Sequence, residues 1–301
     1  MLNGQDAAPS EYVVDKNDPN AFQTIQAVID HIDVNSESRI YIYVKPGVYK
    51  EKLIVDAHKI RISLIGEDAD NTIITYDDYA GKGDITTFTS YTIKVLGDEF
   101  QAENITFQND APALSQAVVM HIEADKVSFL ECKFLGNSNT IFAGGRGRQN
   151  FANCYIEGTS DFITGDATVV FDVCLIHSKA NSYIVAPSTP KDRNYGFVFV
   201  LCEFTAADDV SSVYLGRPMS DYAKSVLVYC ALGKHILPAG WHNGNRPKAE
   251  RTVLFAECDS RGEGANAKKR VAWSRQLTEK NIEDHYNLNI IFTLSDVWIP
   301  D

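Results

Sequence analysis

Six segments decide the fold: Phe129-Leu-Glu-Cys132, Phe151-Ala-Asn-Cys154, Phe171-Asp-Val-Cys174, Phe199-Val-Leu-Cys202, Leu227-Val-Tyr-Cys230 and Phe255-Ala-Glu-Cys258. Each sets a cysteine three residues after a large apolar residue, and together they hold every cysteine in the chain. Successive cysteines are 22, 20, 28, 28 and 28 residues apart. Repeats of this length build solenoids, in which each unit buries its apolar face only against its neighbours. A buried thiol behaves as a small hydrophobe. The six cysteines are therefore read as equivalent inward positions on successive coils, as free thiols, with disulfide pairing as the alternative. No CxxC spacing occurs, which argues against a zinc site.

Working outward, the repeat units are strand-like. Lys59-Ile-Arg-Ile-Ser-Leu-Ile65, Asn104-Ile-Thr-Phe107, Thr168-Val-Val-Phe171 and Gly196-Phe-Val-Phe-Val200 are short and rich in β-branched and aromatic residues. Such strands also build antiparallel sandwiches. Two-residue Asn-Gly hairpin signals are scarce, however, and the cysteine phase persists from Cys132 to Cys258. The expectation is an all-β chain, one right-handed parallel β-helix over residues 1–301. An open solenoid end exposes strand edges that need covering. Phe22, Ile25, Val28, Ile29 and Ile32 recur near helical spacing, so a capping helix is expected over about 20–32. Residues 277–301 show weak strand patterning and are expected to pack on the outside.

The 301 residues carry 28 Lys and Arg against 40 Asp and Glu, a net charge of −12. That excess argues against nucleic acid and against an anionic membrane surface as partners. No stretch approaches the roughly 20 apolar residues of a membrane span. Met1–Asp6 lacks the basic and apolar regions of a signal peptide, so the chain is read as cytoplasmic or as beginning after a removed signal.

Five stretches occur in one order: Phe22-Gln-Thr-Ile-Gln-Ala27, Gly47-Val-Tyr-Lys-Glu51, Gln116-Ala-Val118, Asp161-Phe-Ile-Thr-Gly165 and Leu215-Gly-Arg-Pro-Met219. With them the chain resembles, over nearly its whole length, the pectin methylesterases, carbohydrate esterases built on a parallel β-helix. The resemblance implies a secreted or periplasmic parent. It also implies a monomer that needs no cofactor or metal and acts on methylated polygalacturonate. It implies Asp161 as the carboxylate that attacks the methyl ester, Arg217 as the arginine that orients it, and Gln116 as an oxyanion donor.

The departures are equally specific. Where the family has G-x-Q-D-T-[LI], this chain has Gly136-Asn-Ser-Asn-Thr-Ile141. Ser138 stands for the second glutamine and Asn139 for the aspartate that protonates methanol and later activates water. An amide performs neither task at neutral pH, and losing general acid–base catalysis costs about 10²–10⁴ in rate. Thr164 and Met219 stand where the family has an aromatic residue and a tryptophan. In Trp241-His-Asn-Gly-Asn245, Trp241 is expected to bind substrate, and Gly244 stands where many members carry a second tryptophan. Aromatic faces pack on sugar rings, so the sugar platform is expected to be dismantled and the cleft widened.

Three functions follow: an esterase of this type that is strongly impaired, a binding protein on the same scaffold, or an enzyme of altered chemistry. In the last, Asp161 serves as a lone general base with Ser138, Thr164 and Tyr229 as partners, and a small molecule occupies the widened cleft. Natural divergence or engineering are the two routes to such a pocket. Gly144-Gly-Arg-Gly-Arg148 reads as a turn whose Arg146 or Arg148 reaches an anionic sugar.

Overall fold

The computed structural model describes residues 10–112, 115–293, 296 and 298–300; Met1–Asp6, the stretch read for a leader, lie outside them. One coil shows the plan. Met120–Ile122, Val127–Leu130 and Lys133–Leu135 each join a different sheet, and Ile141–Ala143 returns to the first. Repetition yields three parallel sheets of seven, eleven and eight strands among the described residues. The chain is a parallel β-helix, with neighbouring strands about 4.8 Å apart.

Its interior is filled by in-register columns. Phe129 pairs with Phe151, Phe151 with Phe171, Phe171 with Phe199 and Phe199 with Leu227. The phenylalanine rings stack with centroids 4.7, 5.0 and 4.5 Å apart. Cys132, Cys154, Cys174, Cys202 and Cys230 lie at the corner that follows, buried and free. The residue before each is left-handed, with φ of 52° at Glu131, 53° at Asn153, 52° at Val173, 54° at Leu201 and 56° at Tyr229. That conformation is unfavourable for a β-branched residue such as Val173. It is held because the Val173 N–H donates to the Val200 carbonyl of the next coil at 2.9 Å.

The sixth repeat is out of phase. Phe255 pairs with Ser225 and Cys258 with Val228, two residues from the expected register. The left-handed corner falls on Asp259 at φ 48°, so Ser260 takes the place that a cysteine holds on the coils before. The inward position opposite Leu227 is Glu257, 2% exposed. Cys258 instead points to the outer row shared with Ala256, beside the charge of Glu279. The column has five cysteines, not six. Burial pushes the Cys132 and Cys230 thiols up. A thiol reagent in denaturant should count six free thiols. In the native protein, peptide mapping should find Cys258 modified first, because it lies on the outer face of the sheet near Glu279 and not inside the tube. A count below six in denaturant, or first reaction at Cys174, contradicts this arrangement.

A helix packs at the N-terminal end, and the C-terminal segment packs along one side. The N-terminal helix runs Ile25–His31 with Thr24 as N-cap, and buries Ile25, Val28 and Ile29. Its first turn is tied to the solenoid by Glu51, whose two carboxylate oxygens accept the N–H groups of Ile25 and Gln26 at 3.1 Å each. The G-x-Y-x-E stretch thus anchors the cap, with Tyr49 buried and its hydroxyl donating to the Lys45 carbonyl at 2.7 Å. The C-terminal segment does not follow its weak strand patterning; it forms two short helices instead, Glu279–His285 and Leu288–Phe292. Ile291 and Phe292 pack on Val170 and Val198, outer-face residues of the eleven-stranded sheet. Thr278 caps the first of these helices in a reciprocal box with Asn281, a signal that outweighs the strand pattern. Among the described residues no helix is long and apolar enough to cross a membrane.

His235 is 3% exposed, its Nε2 has no hydrogen-bond partner, and burial with help from His177 lowers its pKa to about 4. It lines a groove on the eight-stranded sheet with Glu203, Asp208, Lys234 and Glu263. The unfolded chain protonates this imidazole below its ordinary value of about 6.5. Between there and about 4 the unfolded state binds more protons, so stability falls as pH drops through that window. Urea midpoints measured at several pH values should show this loss, and His235→Gln should flatten it.

Candidate active site

The seven-stranded sheet presents an outward row in register: Lys94, His121, Phe142, Thr164 and Ala186. Over it lies a cleft of about 450 Å³. The residues entering these strands form its edge. Ile141 pairs with Ile163, so Asn139 and Asp161, each two residues earlier, are equivalent positions on neighbouring coils. Both are left-handed, with φ of 61° and 45°, a conformation that Asn and Asp tolerate better than most residues. The local sequence thus puts two short polar side chains on neighbouring coils at the mouth of the cleft.

Asp161 is gripped by Arg217. Arg217 Nε donates to Oδ1 at 3.0 Å and Nη2 to Oδ2 at 2.5 Å, a two-point pairing. The pair is only partly buried, and Asp161 raises the Arg217 pKa further. The guanidinium carbon lies 4.5 Å from the centre of the Tyr183 ring, which stacks on Tyr214 at 5.4 Å and meets His242 at 5.5 Å. The Asp161 N–H donates to the Tyr183 carbonyl at 2.8 Å. Tyr183 therefore touches both members of the pair.

Gln116 and Ser138 face the same cleft and are joined by an isolated bridge. Thr87 Oγ1 donates to Gln116 Oε1 at 2.9 Å, which leaves the NH₂ end of the amide for a ligand. Asn139 Nδ2 approaches Ser138 Oγ at 3.4 Å. Thr164 and Met219 line the walls, with Met219 half exposed. Gly244 sits behind Arg217, where an added Cβ would lie 3.2 Å from the Pro218 carbonyl oxygen and 3.6 Å from Arg217 Cβ. Its φ of +62° makes a tryptophan there strained in this backbone.

Other expected site residues lie elsewhere. Trp241 is fully buried and packs on Phe255 at 4.7 Å; its indole is part of the core because the Gly216 bridge draws it inward. Tyr229 occupies a left-handed corner on the far side and packs under the C-terminal segment with Ile282 and Tyr286. Arg148 is held by Asp125 and Asp296 and by the Phe292 carbonyl, and Arg146 by Asp192. These arginines secure the chain's own segments and do not enter the cleft.

Two aromatic residues escape the sequence reading. Phe142 lines the cleft, and Phe88, 56% exposed, meets it edge-on at 5.2 Å. The cleft keeps an aromatic wall that the sequence reading did not place there. Alternation of Phe142 with buried Ile141 and Ala143 is the signal that could have found it. Phe88 sits in a Thr-rich turn with no periodicity to mark it.

The geometry offers an arginine-held carboxylate, an amide and a hydroxyl beside it, and no second carboxylate at the equivalent position one coil before. The pectinesterase family profile matches residues 11–292. Pectinesterase QRT1 of Arabidopsis thaliana is 33% identical over 303 residues, covering 95% of this chain and 78% of its own length. Pectinesterase 31 of the same plant is 34% identical over 267 residues, covering 85% and 84%. Among solved structures, pectin methylesterase from carrot superposes with a TM-score of 0.89 at 30% identity, covering 95% of this chain and 93% of its own. A pectin methylesterase in complex with a hexasaccharide superposes with a TM-score of 0.84 at 26% identity, covering 98% and 99%. A match of this extent has one meaning: the chain belongs to the pectinesterase family.

Proposed function

We propose that this chain binds methylated polygalacturonate as its family does and hydrolyses the methyl ester only slowly. The observation that carries this reading is the equivalence of Asn139 and Asp161 on adjacent coils. Asp161, held by Arg217, attacks the ester carbonyl. Gln116 and the Ser138 hydroxyl face the developing oxyanion. The tetrahedral adduct must then expel methanol, and methoxide is a far poorer leaving group than the Asp161 carboxylate. Without a proton donor at position 139, the adduct returns to substrate. The loss of the acid–base group alone lowers turnover by about 10²–10⁴, and a shortened oxyanion donor lowers it further. The two losses serve one transition state and need not multiply.

The hexasaccharide complex of a relative supports a polysaccharide occupant. An Aspergillus niger relative carries an N-acetylglucosamine stub on asparagine, which supports a secreted parent; on this reading the chain acts as a monomer. A second reading, a small ligand or another reaction with Asp161 as base, draws support from Phe88 and Phe142, which offer apolar surface beside the small Thr164. The purified chain should retain methylated polygalacturonate on an affinity gel while releasing methanol at least about 10²-fold more slowly than the carrot enzyme. Equal methanol release contradicts the proposal. Absence of retention favours the second reading.

A further inference from the structure

We infer that the cleft accepts short-chain acyl esters of acidic phenols and that Asp161 takes their acyl group in one rapid event per chain. This rests on the reading above, in which Asp161 attacks and Asn139 supplies no proton. The argument begins with the leaving group. Methoxide needs a proton to depart. An aryloxide whose conjugate acid titrates near neutrality departs without one, so the missing acid matters little to it.

The step balances without any further reactant. An Asp161 carboxylate oxygen forms a bond to the acyl carbon, and the carbonyl π pair moves onto oxygen, facing Gln116 and Ser138. That pair returns as the acyl carbon–aryl oxygen bond breaks, and the bonding pair leaves on the aryloxide. The product on the protein is a mixed anhydride of Asp161. Its hydrolysis requires water to lose a proton, and the Asn139 amide takes none at neutral pH. Acylation is therefore faster than deacylation, the condition for a burst.

The walls suit an aryl group. Phe142 lies three residues after Asn139 on the same coil, the side from which the family's acid serves the leaving group. Its ring meets Phe88 edge-on at 5.2 Å, and Phe88 is 56% exposed. An aromatic ring entering there gains offset or edge contacts with both. Asp161 is paired with Arg217 in the cleft, so a neutral ester meets a charge already balanced.

The experiment mixes the full chain with 4-nitrophenyl acetate at neutral pH and follows 4-nitrophenolate. A burst of about one equivalent per chain is expected, then slower release, with an acetyl-sized mass increment on the peptide holding Asp161. Asp161→Asn, shown by thermal unfolding to be folded, should lose the burst. No burst, or one that survives Asp161→Asn, overturns the inference. The chain carrying Ser138→Gln and Asn139→Asp supplies the second arm. An oxyanion donor serves both esters and cancels in their ratio, whereas the proton donor serves only the methyl ester. The ratio of methyl-ester to aryl-ester rates should rise at least about 10²-fold. Methanol release gained in that chain, with no burst in the unaltered one, rejects aryl acylation and leaves the proposed function standing. Neither methanol nor burst rejects both.

Discussion

Changing Ser138→Gln and Asn139→Asp together should raise methanol release from methylated polygalacturonate by at least about 10²-fold over the unaltered chain. The backbone is prepared for it. Asn139 is left-handed at φ 61°, and Asp adopts that conformation about as readily as Asn. The new carboxylate would then stand at the position equivalent to Asp161 on the coil before, the arrangement in which, on the proposed reading, one carboxylate attacks and the other moves the proton. Ser138 already faces the cleft beside Gln116, so a longer amide there enters open space. Each single change should recover little, because both groups act on the same transition state. Adding Thr164→Phe and Met219→Trp should lower KM more than it raises kcat, since these side chains meet the sugar and not the developing charge. Gly244→Trp is left out because its φ of +62° penalises any side chain. Initial-rate methanol assays on folded variants decide the matter; no gain in the double change contradicts the proposed proton-moving role of position 139.

The second large effect is on stability. Glu257→Ala should cost about 3–5 kcal/mol, the usual penalty for stranding a buried charge. Arg270 Nε donates to Glu257 Oε1 at 2.7 Å and Nη2 to Oε2 at 3.0 Å, with side chains 2% and 3% exposed. Arg270 also donates to the carbonyls of Leu237, Pro238 and Gly264, tying these loops together across the C-terminal end of the solenoid. Removing the carboxylate leaves the guanidinium buried with carbonyls alone. Removing both, as Glu257→Leu with Arg270→Met, should recover much of the loss, because a buried ion pair costs its own desolvation. Urea unfolding of the three chains measures this; a loss under about 1 kcal/mol in Glu257→Ala means the pair is better hydrated than its burial indicates.

Legibility in the sequence followed periodicity. The first five Phe/Leu–Cys repeats reveal the coil and its register, since an in-register column repeats its residue types. The sixth misleads because Phe255-Ala-Glu-Cys258 has the same letters at a different phase, and only the Arg270 contact shows why Glu257 turns inward. In the cleft, Asp161, Arg217, Gln116, Ser138 and Asn139 come together because each lies in a motif tied to one coil. Trp241 and Tyr229 are misassigned from sequence because nearness to a motif or a cysteine does not tell which wall of a three-sided tube a side chain faces. Phe88 is invisible there because a single exposed aromatic in a turn carries no repeat.

The adjacent-coil stacking of positions 139 and 161 has an evolutionary corollary. Each lies two residues before a strand that pairs in register with its neighbour, so the spacing of parallel strands limits how far the two positions can part. Selection on this scaffold changes the distance between these two positions little; it acts mainly by swapping which atoms occupy them. Gain and loss of chemistry should therefore arrive in discrete steps, with the tube surviving each exchange untouched.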